Sequence, residues 1–288
     1  MQILLGVDGS PAAEAARRLI GGRTWPAGTR VRMVTAMRDM DWAALGAATG
    51  APSGTDLRDL QDAAESQADE LRRHGLIVDV EVVAGDPAET LIERARELFA
   101  DLIVVGNRGR GPVTSIVLGS VSAYLVDHAP CPVLVARSPE MTRMLLAADG
   151  TSSSRSIPTV LGAWGPAFRG LPVEVVSVTD AGAAGNGDLA LHERIAESVA
   201  DELMELGWHA AAVARSGRPV REIVRAGDEW HADLIVTGSR GLGPLRRLVA
   251  GSVSHDVLLH AHASVLVMRG FVPAESRQPA FAARGAPA

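Results

Sequence analysis

The stretch "ADLIVVGNRGRGPVTSIVLGS" (residues 100–120) returns later in the chain as "ADLIVTGSRGLGPLRRLVAGS" (residues 232–252). In each copy a short aliphatic run is followed by the same spacing, Gly-x-x-Gly-x9-Gly-Ser. A run such as "LIVV" is typical of a parallel strand covered on both faces. Glycines after a strand, followed by Gly-Ser, are typical of a loop that leads into a helix. Each copy therefore predicts a strand–loop–helix unit.

The repetition extends over most of the chain. Residues 3–10 match residues 144–151, and residues 84–95 match residues 216–227, in the same order. Matches that keep their order over such a length predict two homologous domains. The predicted division is a first domain at 1–138, a second at 142–270, and a flexible tail at 271–288.

Within one copy, strand and helix patterns alternate. The predicted strands of the first copy are residues 2–7, 31–36, 78–83, 101–105 and 132–136. Alternation of this kind predicts a doubly wound α/β fold, with a parallel sheet and helices on both faces. Ligands of such folds bind beyond the carboxyl ends of the strands, where the strand order reverses.

Helix starts are marked by Ser10-Pro11 and Asp86-Pro87, which each combine an N-cap residue with proline at the first helical position. The inner face of the helix after Asp86 is predicted to consist of Leu91, Ile92, Ala95 and Phe99.

Composition limits the class of protein. The chain has 288 residues, 47% of them hydrophobic, a formal net charge of −6 and a pI of about 5.8. The acidic balance argues against nucleic acid and anionic membranes as partners. No apolar stretch approaches the ~20 residues of a membrane span, and the N-terminus does not read as a signal peptide. A single cysteine, Cys131, fits a buried apolar role and a reducing cytoplasm.

Lysine is absent, and all 28 basic residues are arginine. A Walker-type phosphate loop needs a lysine, and so does Schiff-base chemistry with pyridoxal phosphate. Both are excluded for this chain.

The motif Gly-x-x-Gly-x9-Gly-Ser, which we call the glycine phrase, has two interpretations. As a phosphate cradle, Gly106 and Gly109 allow backbone N–H groups to face an anion, Gly119-Ser120 opens a helix, and Arg108 adds charge. The second copy supplies Gly238, Arg240, Gly241, Gly251 and Ser252. As a purely structural element, the glycines would serve the geometry of a strand-to-helix turn. The sequence leaves both open.

An aspartate ends the first strand of each copy: Asp8 in "VDGS" and Asp149 in "ADGT". Either carboxylate could accept a ribose hydroxyl or hold Mg²⁺ through water, or it could cap a turn. The eight histidines do not form a set with metal-ligand spacing.

Several of these features together resemble the universal stress protein family in its ATP-binding form. They are the glycine phrase, "VDGS", the Gly-x-Pro turn and the ending "HAPCPVLVAR" (residues 128–137). The likeness runs through residues 1–137 and 142–269. It implies a five-stranded sheet of order 3-2-1-4-5 in each domain. It also implies that the last strands pair, so that the two domains form an intrachain pseudo-dimer.

The resemblance also implies site residues. Asp8 and Asp149 would lie near adenosine, and the backbone at Val34 and Val176 would meet adenine. The glycines and serines would cradle the phosphates of ATP, with Mg²⁺ bound through them. Both sites are expected to be competent.

The function expected on this basis is that of a cytoplasmic stress-response protein that binds ATP or another adenine nucleotide. Whole tandem chains could pair further as homodimers. The alternatives are a slow ATPase, a phosphoryl or nucleotidyl transferase, a cyclic-AMP-binding protein, and a nucleotide-free dimerisation scaffold.

Overall fold

The computed structural model describes residues 1–38, 53–109, 118–180, 186–239 and 252–269. The tail predicted at 271–288 lies outside the described residues. Within the described residues, the strands form one sheet of ten. None of the helices in these ranges is both long and apolar enough to cross a membrane.

The first half of the sheet contains β1 Gln2–Gly6, β2 Arg30–Met37, β3 Ile77–Ala84, β4 Leu102–Gly106 and β5 Val133–Ala136. The second half contains β6 Met144–Ala147, β7 Pro172–Thr179, β8 His209–Ser216, β9 Leu234–Gly238 and β10 Ser264–Met268. The order across the sheet is β3-β2-β1-β4-β5-β10-β9-β6-β7-β8. Each half thus has the order 3-2-1-4-5, as predicted.

The two halves join edge to edge. Strands within each half are parallel, whereas β5 and β10 are antiparallel and pair Val133 with Val267, Leu134 with Leu266, and Val135 with Val265. These side chains are fully buried. The predicted pairing of the last strands is confirmed. Because the central pair is antiparallel, the carboxyl ends of the two sets of strands point to opposite edges of the sheet.

The helices cover both faces. Those of the first half are α1 Pro11–Gly21, α2 Ser53–Arg73, α3 Pro87–Glu97 and α4 Ser120–His128. Those of the second half are α5 Ser152–Arg155, α6 Ile157–Ala163, α7 Asn186–Glu205, α8 Pro219–Trp230 and α9 Ser252–His260. Leu19 of α1 and Leu203 of α7 share one buried apolar cluster, and Leu125 of α4 and Val257 of α9 share the other. Each apolar layer therefore runs across both halves.

The predicted helix caps are present in the first half. The Ser10 hydroxyl accepts a hydrogen bond from the Ala13 N–H at 3.2 Å. One Asp86 carboxylate oxygen accepts from the N–H groups of Ala88 and Glu89 at 3.0 and 3.2 Å. At the equivalent place before α8 stands Arg218, whose side chain makes no capping bond.

The prediction for Phe99 is wrong. The side chain is 60% exposed, because α3 ends at Glu97 and Phe99 has a left-handed backbone with φ 49°. The helical spacing that would have turned it inward stops two residues earlier. Leu91, Ile92 and Ala95 are buried as predicted.

We expect Asp86→Ala to lower the free energy of unfolding by about 1 kcal/mol, because two N–H groups of α3 lose their acceptor. Urea unfolding measures the change. Arg218→Ala, at the matching position of α8, is the control and should change stability by less than about 0.5 kcal/mol. Equal losses from both variants would contradict a capping role for Asp86.

Candidate functional site

A cavity of about 410 Å³ opens beyond the carboxyl ends of β1 and β4, at the point where the strand order of the first half reverses. The structure brings together around it all the site residues predicted for this half: Asp8, Val34, Gly106, Arg108, Gly109, Gly119 and Ser120. Its volume lies in the usual range for small-molecule sites, roughly 300–1,000 Å³.

Hydrogen bonds tie the two ends of the glycine phrase to their surroundings. The Ser10 hydroxyl donates to the Arg108 carbonyl at 3.2 Å, which links the loop after β1 to the loop after β4. The Asn107 carbonyl accepts from the Gly119 N–H at 2.8 Å and from the Ser122 hydroxyl at 3.3 Å. Residues 106–109 and 118–122 are thus held side by side along the cavity wall.

The N-terminus of α4 opens into this cavity. Gly119 is the N-cap and offers no side-chain acceptor, and the first hydrogen bond inside the helix joins the Ala123 N–H to the Gly119 carbonyl at 3.0 Å. The N–H groups of Ser120, Val121 and Ser122 precede that bond, and all three residues line the cavity. Such a helix end carries partial positive charge and favours an anion.

Gly106 and Gly109 also have a structural role. A Cβ atom on Gly106 would lie 2.5 Å from the backbone carbon of Ala12, so α1 could not approach β4 as it does. A Cβ atom on Gly109 would lie 2.7 Å from Oδ2 of Asp8. The structural interpretation of these glycines is therefore supported by the packing. A role toward a ligand is compatible with this packing role, since both residues also line the cavity.

The remainder of the wall is mostly apolar. It includes Ala13, Ala36, Pro87, Leu91 and Leu118, none of which the sequence pointed to as site residues. Leu91 was predicted only as core. An apolar residue in a helix shows the same sequence spacing whether its side chain packs on the sheet or faces a cavity above the sheet. The sequence could therefore not separate these two positions for Leu91.

The backbone of Val34 is engaged within the sheet. Its carbonyl accepts a hydrogen bond from the Val7 N–H at 2.9 Å, on the β1 side. The Met37 carbonyl accepts from Gly85 on the β3 side, so successive residues face alternate neighbours. Ala36 faces the same side as Val34 but lies beyond the end of β1. A ligand could meet the β2 backbone more readily at Ala36 than at Val34.

Two charged side chains, Asp8 and Arg108, are among the described residues that line the cavity. One oxygen of Asp8, Oδ1, accepts the Ser10 N–H at 2.9 Å and so closes the turn after β1. The pKa of Arg137 is lowered mainly by burial and secondly by the positive charge of Arg108. These two arginines therefore lie within electrostatic reach of each other. In the part of the chain that the structure describes, no group of three or more metal-binding side chains occurs.

The second half has a smaller cavity, of about 80 Å³, at the opposite edge of the sheet. It is lined by Asp149, Val176 and Gly238 among the predicted residues. Oδ1 of Asp149 accepts from the N–H and hydroxyl of Thr151 at 3.0 and 2.6 Å. Ser252 begins α9. Arg240, Gly241 and Gly251 lie outside the described residues.

The two cavities differ in chemistry. Val178 stands where the first half has Ala36, and Thr237 stands where it has Val105. The larger Val178 side chain agrees with the smaller volume. Oγ1 of Thr237 is buried and has no hydrogen-bond partner within the described residues. At this position the second cavity therefore has a buried hydroxyl where the first has an apolar side chain.

The fold and the cavities define a class: two doubly wound α/β units in one sheet, each with a cavity where its strand order reverses. A family model described as the universal stress protein family matches residues 1–137 and 141–269. The chain belongs to that family.

Individual relatives agree with this family assignment. Universal stress protein Rv2005c of Mycobacterium tuberculosis is 31% identical over 220 residues, which cover 67% of this chain and 70% of the relative. Universal stress protein Rv2623 of the same organism is 30% identical over 208 residues, covering 66% and 67%. The crystal structure of a universal stress protein from Archaeoglobus fulgidus has the same fold at 20% identity, with a TM-score of 0.64 over 93% of this chain and 96% of that one.

We expect Gly106→Ala to destabilise the chain by about 1–3 kcal/mol, because the new methyl group would overlap the backbone of α1. Urea unfolding without nucleotide measures this loss. The control is Gly119→Ala, whose Cβ would meet its nearest atoms at 3.3 Å. Gly119→Ala should cost less than half as much. If Gly106→Ala were neutral, the close approach of α1 would not require glycine.

Proposed function

We propose that the first half binds an adenine nucleotide, as ATP with Mg²⁺ on its phosphates, in the cavity between β1 and β4. One observation carries the proposal. The N-terminus of α4, with no side-chain cap, opens into a cavity whose remaining wall is largely apolar. A nucleotide has that same division, since one end is polyanionic and the other is a flat base of low polarity.

The wall residues suggest how the parts of the nucleotide would be arranged. Val34, Leu91 and Leu118 offer an apolar slot for the base. The Ala36 backbone, beyond the end of β1, is placed to meet the polar edge of the base, and we assign it this role in preference to Val34. By the same reasoning Val178 replaces Val176 in the second half.

The polar end of the cavity suits ribose and phosphate. Asp8 uses Oδ1 within its own turn, and Oδ2, on the side of Gly109, is suited to accept a ribose hydroxyl. The N–H groups of Gly109 and of the first turn of α4, together with the Ser120 hydroxyl, would meet the phosphates. Arg108 would add a charge-assisted contact.

The residues fit a magnesium ion held through the nucleotide better than one held by the protein. Asp8 is the single carboxylate among the described residues that line the first cavity. Mg²⁺ usually takes one or two carboxylates, several waters and the substrate phosphates. The same shortage of acid and base groups favours a binding and regulatory role over hydrolysis.

Residues 1–138 and 142–270 would then be two nucleotide-binding domains, the second with lower affinity because its cavity is smaller. Occupancy of the two sites would follow the nucleotide concentration in the cell. This dependence of occupancy on nucleotide concentration would link the two sites to the response to stress.

The test is calorimetric titration of the nucleotide-stripped chain with ATP and Mg²⁺, with GTP as a second ligand. In Ser120→Glu, an exposed residue at the start of α4 acquires a carboxylate, which suits the helix end but repels phosphate. We expect at least about a tenfold loss of affinity at the first site, equivalent to 1.4 kcal/mol.

The matched control is Ser66→Glu, which makes the same change of charge on the exposed face of α2, away from the cavity. It should leave the titration unchanged. Two results would overturn the proposal: no heat and no thermal stabilisation of the wild-type chain at millimolar ATP, or equal losses from the two glutamate variants.

A further inference from the structure

Two equivalent arginines each donate a hydrogen bond from one half of the chain to a helix of the other half. Arg137 follows β5, and its Nη2 donates to the Leu258 carbonyl of α9 at 2.5 Å. Arg269 follows β10, and its Nη1 donates to the Val126 carbonyl of α4. The arginines are 132 positions apart, and so are the two carbonyls. The contact is therefore made twice, once in each direction.

The accepting carbonyls need an external donor. Both lie in the last turn of a helix, where carbonyl groups have no N–H partner further along the helix. For Val126 the residue four positions on is Pro130, which has no N–H to offer. An arginine at this end also complements the negative end of the helix dipole. Arg269 and Arg137 thus supply hydrogen-bond donors to the C-terminal ends of helices α4 and α9, in each case from the opposite half.

The antiparallel pairing of β5 and β10 explains this placement. Helix α4 ends shortly before β5 begins, and the start of β5 lies beside the end of β10. A side chain that follows β10 therefore reaches the C-terminus of α4. The same holds for Arg137 and α9. Arg269 is buried and Arg137 is half-buried, and burial lowers the pKa of both guanidinium groups.

We propose that Arg137 and Arg269 are positioning residues for the two ligand sites, each holding the phosphate-binding helix of the opposite half. This inference rests on the proposed function, since α4 and α9 begin at Ser120 and Ser252, where the phosphates would bind. It adds that each site depends on an arginine from the other half. The two sites are then coupled through the contact between the halves.

The surroundings of the two arginines differ. Arg137 is within reach of the positive charge of Arg108, which lines the first cavity. Arg269 instead lies near Asp127, which favours its charge.

The test isolates one site at a time in the full chain. Ser120→Glu weakens the first site and Ser252→Glu weakens the second, and ATP with Mg²⁺ is titrated into each. Arg137→Met keeps the apolar stem but removes the donor. We expect it to weaken the second site by about fivefold and the first site by less. Arg269→Met should show the reverse preference, and Arg→Lys at either position should restore part of the affinity. The surface variant Arg73→Met should change neither site.

A second readout needs no nucleotide. Hydrogen exchange of the α9 amides should speed up in Arg137→Met while that of α4 stays the same, and Arg269→Met should do the opposite. The inference is overturned if wild type binds ATP but each arginine variant weakens both sites equally, or mainly the site of its own half. If wild type binds no ATP at all, the proposed function fails, and the exchange pattern alone then decides whether the arginines hold the helices.

Discussion

The antiparallel pairing of β5 with β10 is the constraint on which the other features of the molecule depend. Three pairs of fully buried aliphatic residues join two parallel sheets into one. The pairing sends the carboxyl ends of the two sets of strands to opposite edges, so the cavities lie far from each other. It also brings the start of β5 beside the end of β10, which lets Arg269 and Arg137 reach the helices of the opposite half.

In the glycine phrase, packing requires the same residues that we propose for ligand binding. Gly106 has no room for a side chain because the backbone of α1 lies against it, and Gly109 lies against the Asp8 carboxylate. Both glycines also line the cavity. Substitution of these glycines therefore disturbs the fold together with the site. Ser120, exposed at the start of α4, separates the two effects better.

The repeat and the aliphatic strands made the fold and the pairing of the halves predictable, because a covered parallel sheet leaves a strong local pattern. The motifs likewise predicted which loops line the cavity. The role that we propose for Ala36 could not be predicted in this way, because it depends on where β1 ends beside β2. The reach of Arg137 depends on contact between distant parts of the chain. Phe99 was misplaced because helical spacing does not show where a helix stops.

Whether the N-terminus of α4 binds the phosphates is tested most directly by NMR, which follows the backbone N–H signals as ATP and Mg²⁺ are added to the full chain. We expect shifts at residues 119–122, at the start of α4, and at residues 106–109. The signals of α2, on the other face of the sheet, should remain unchanged. Shifts confined to other surfaces, with the first turn of α4 unaffected at saturating nucleotide, would contradict the claim that this helix end binds the phosphates.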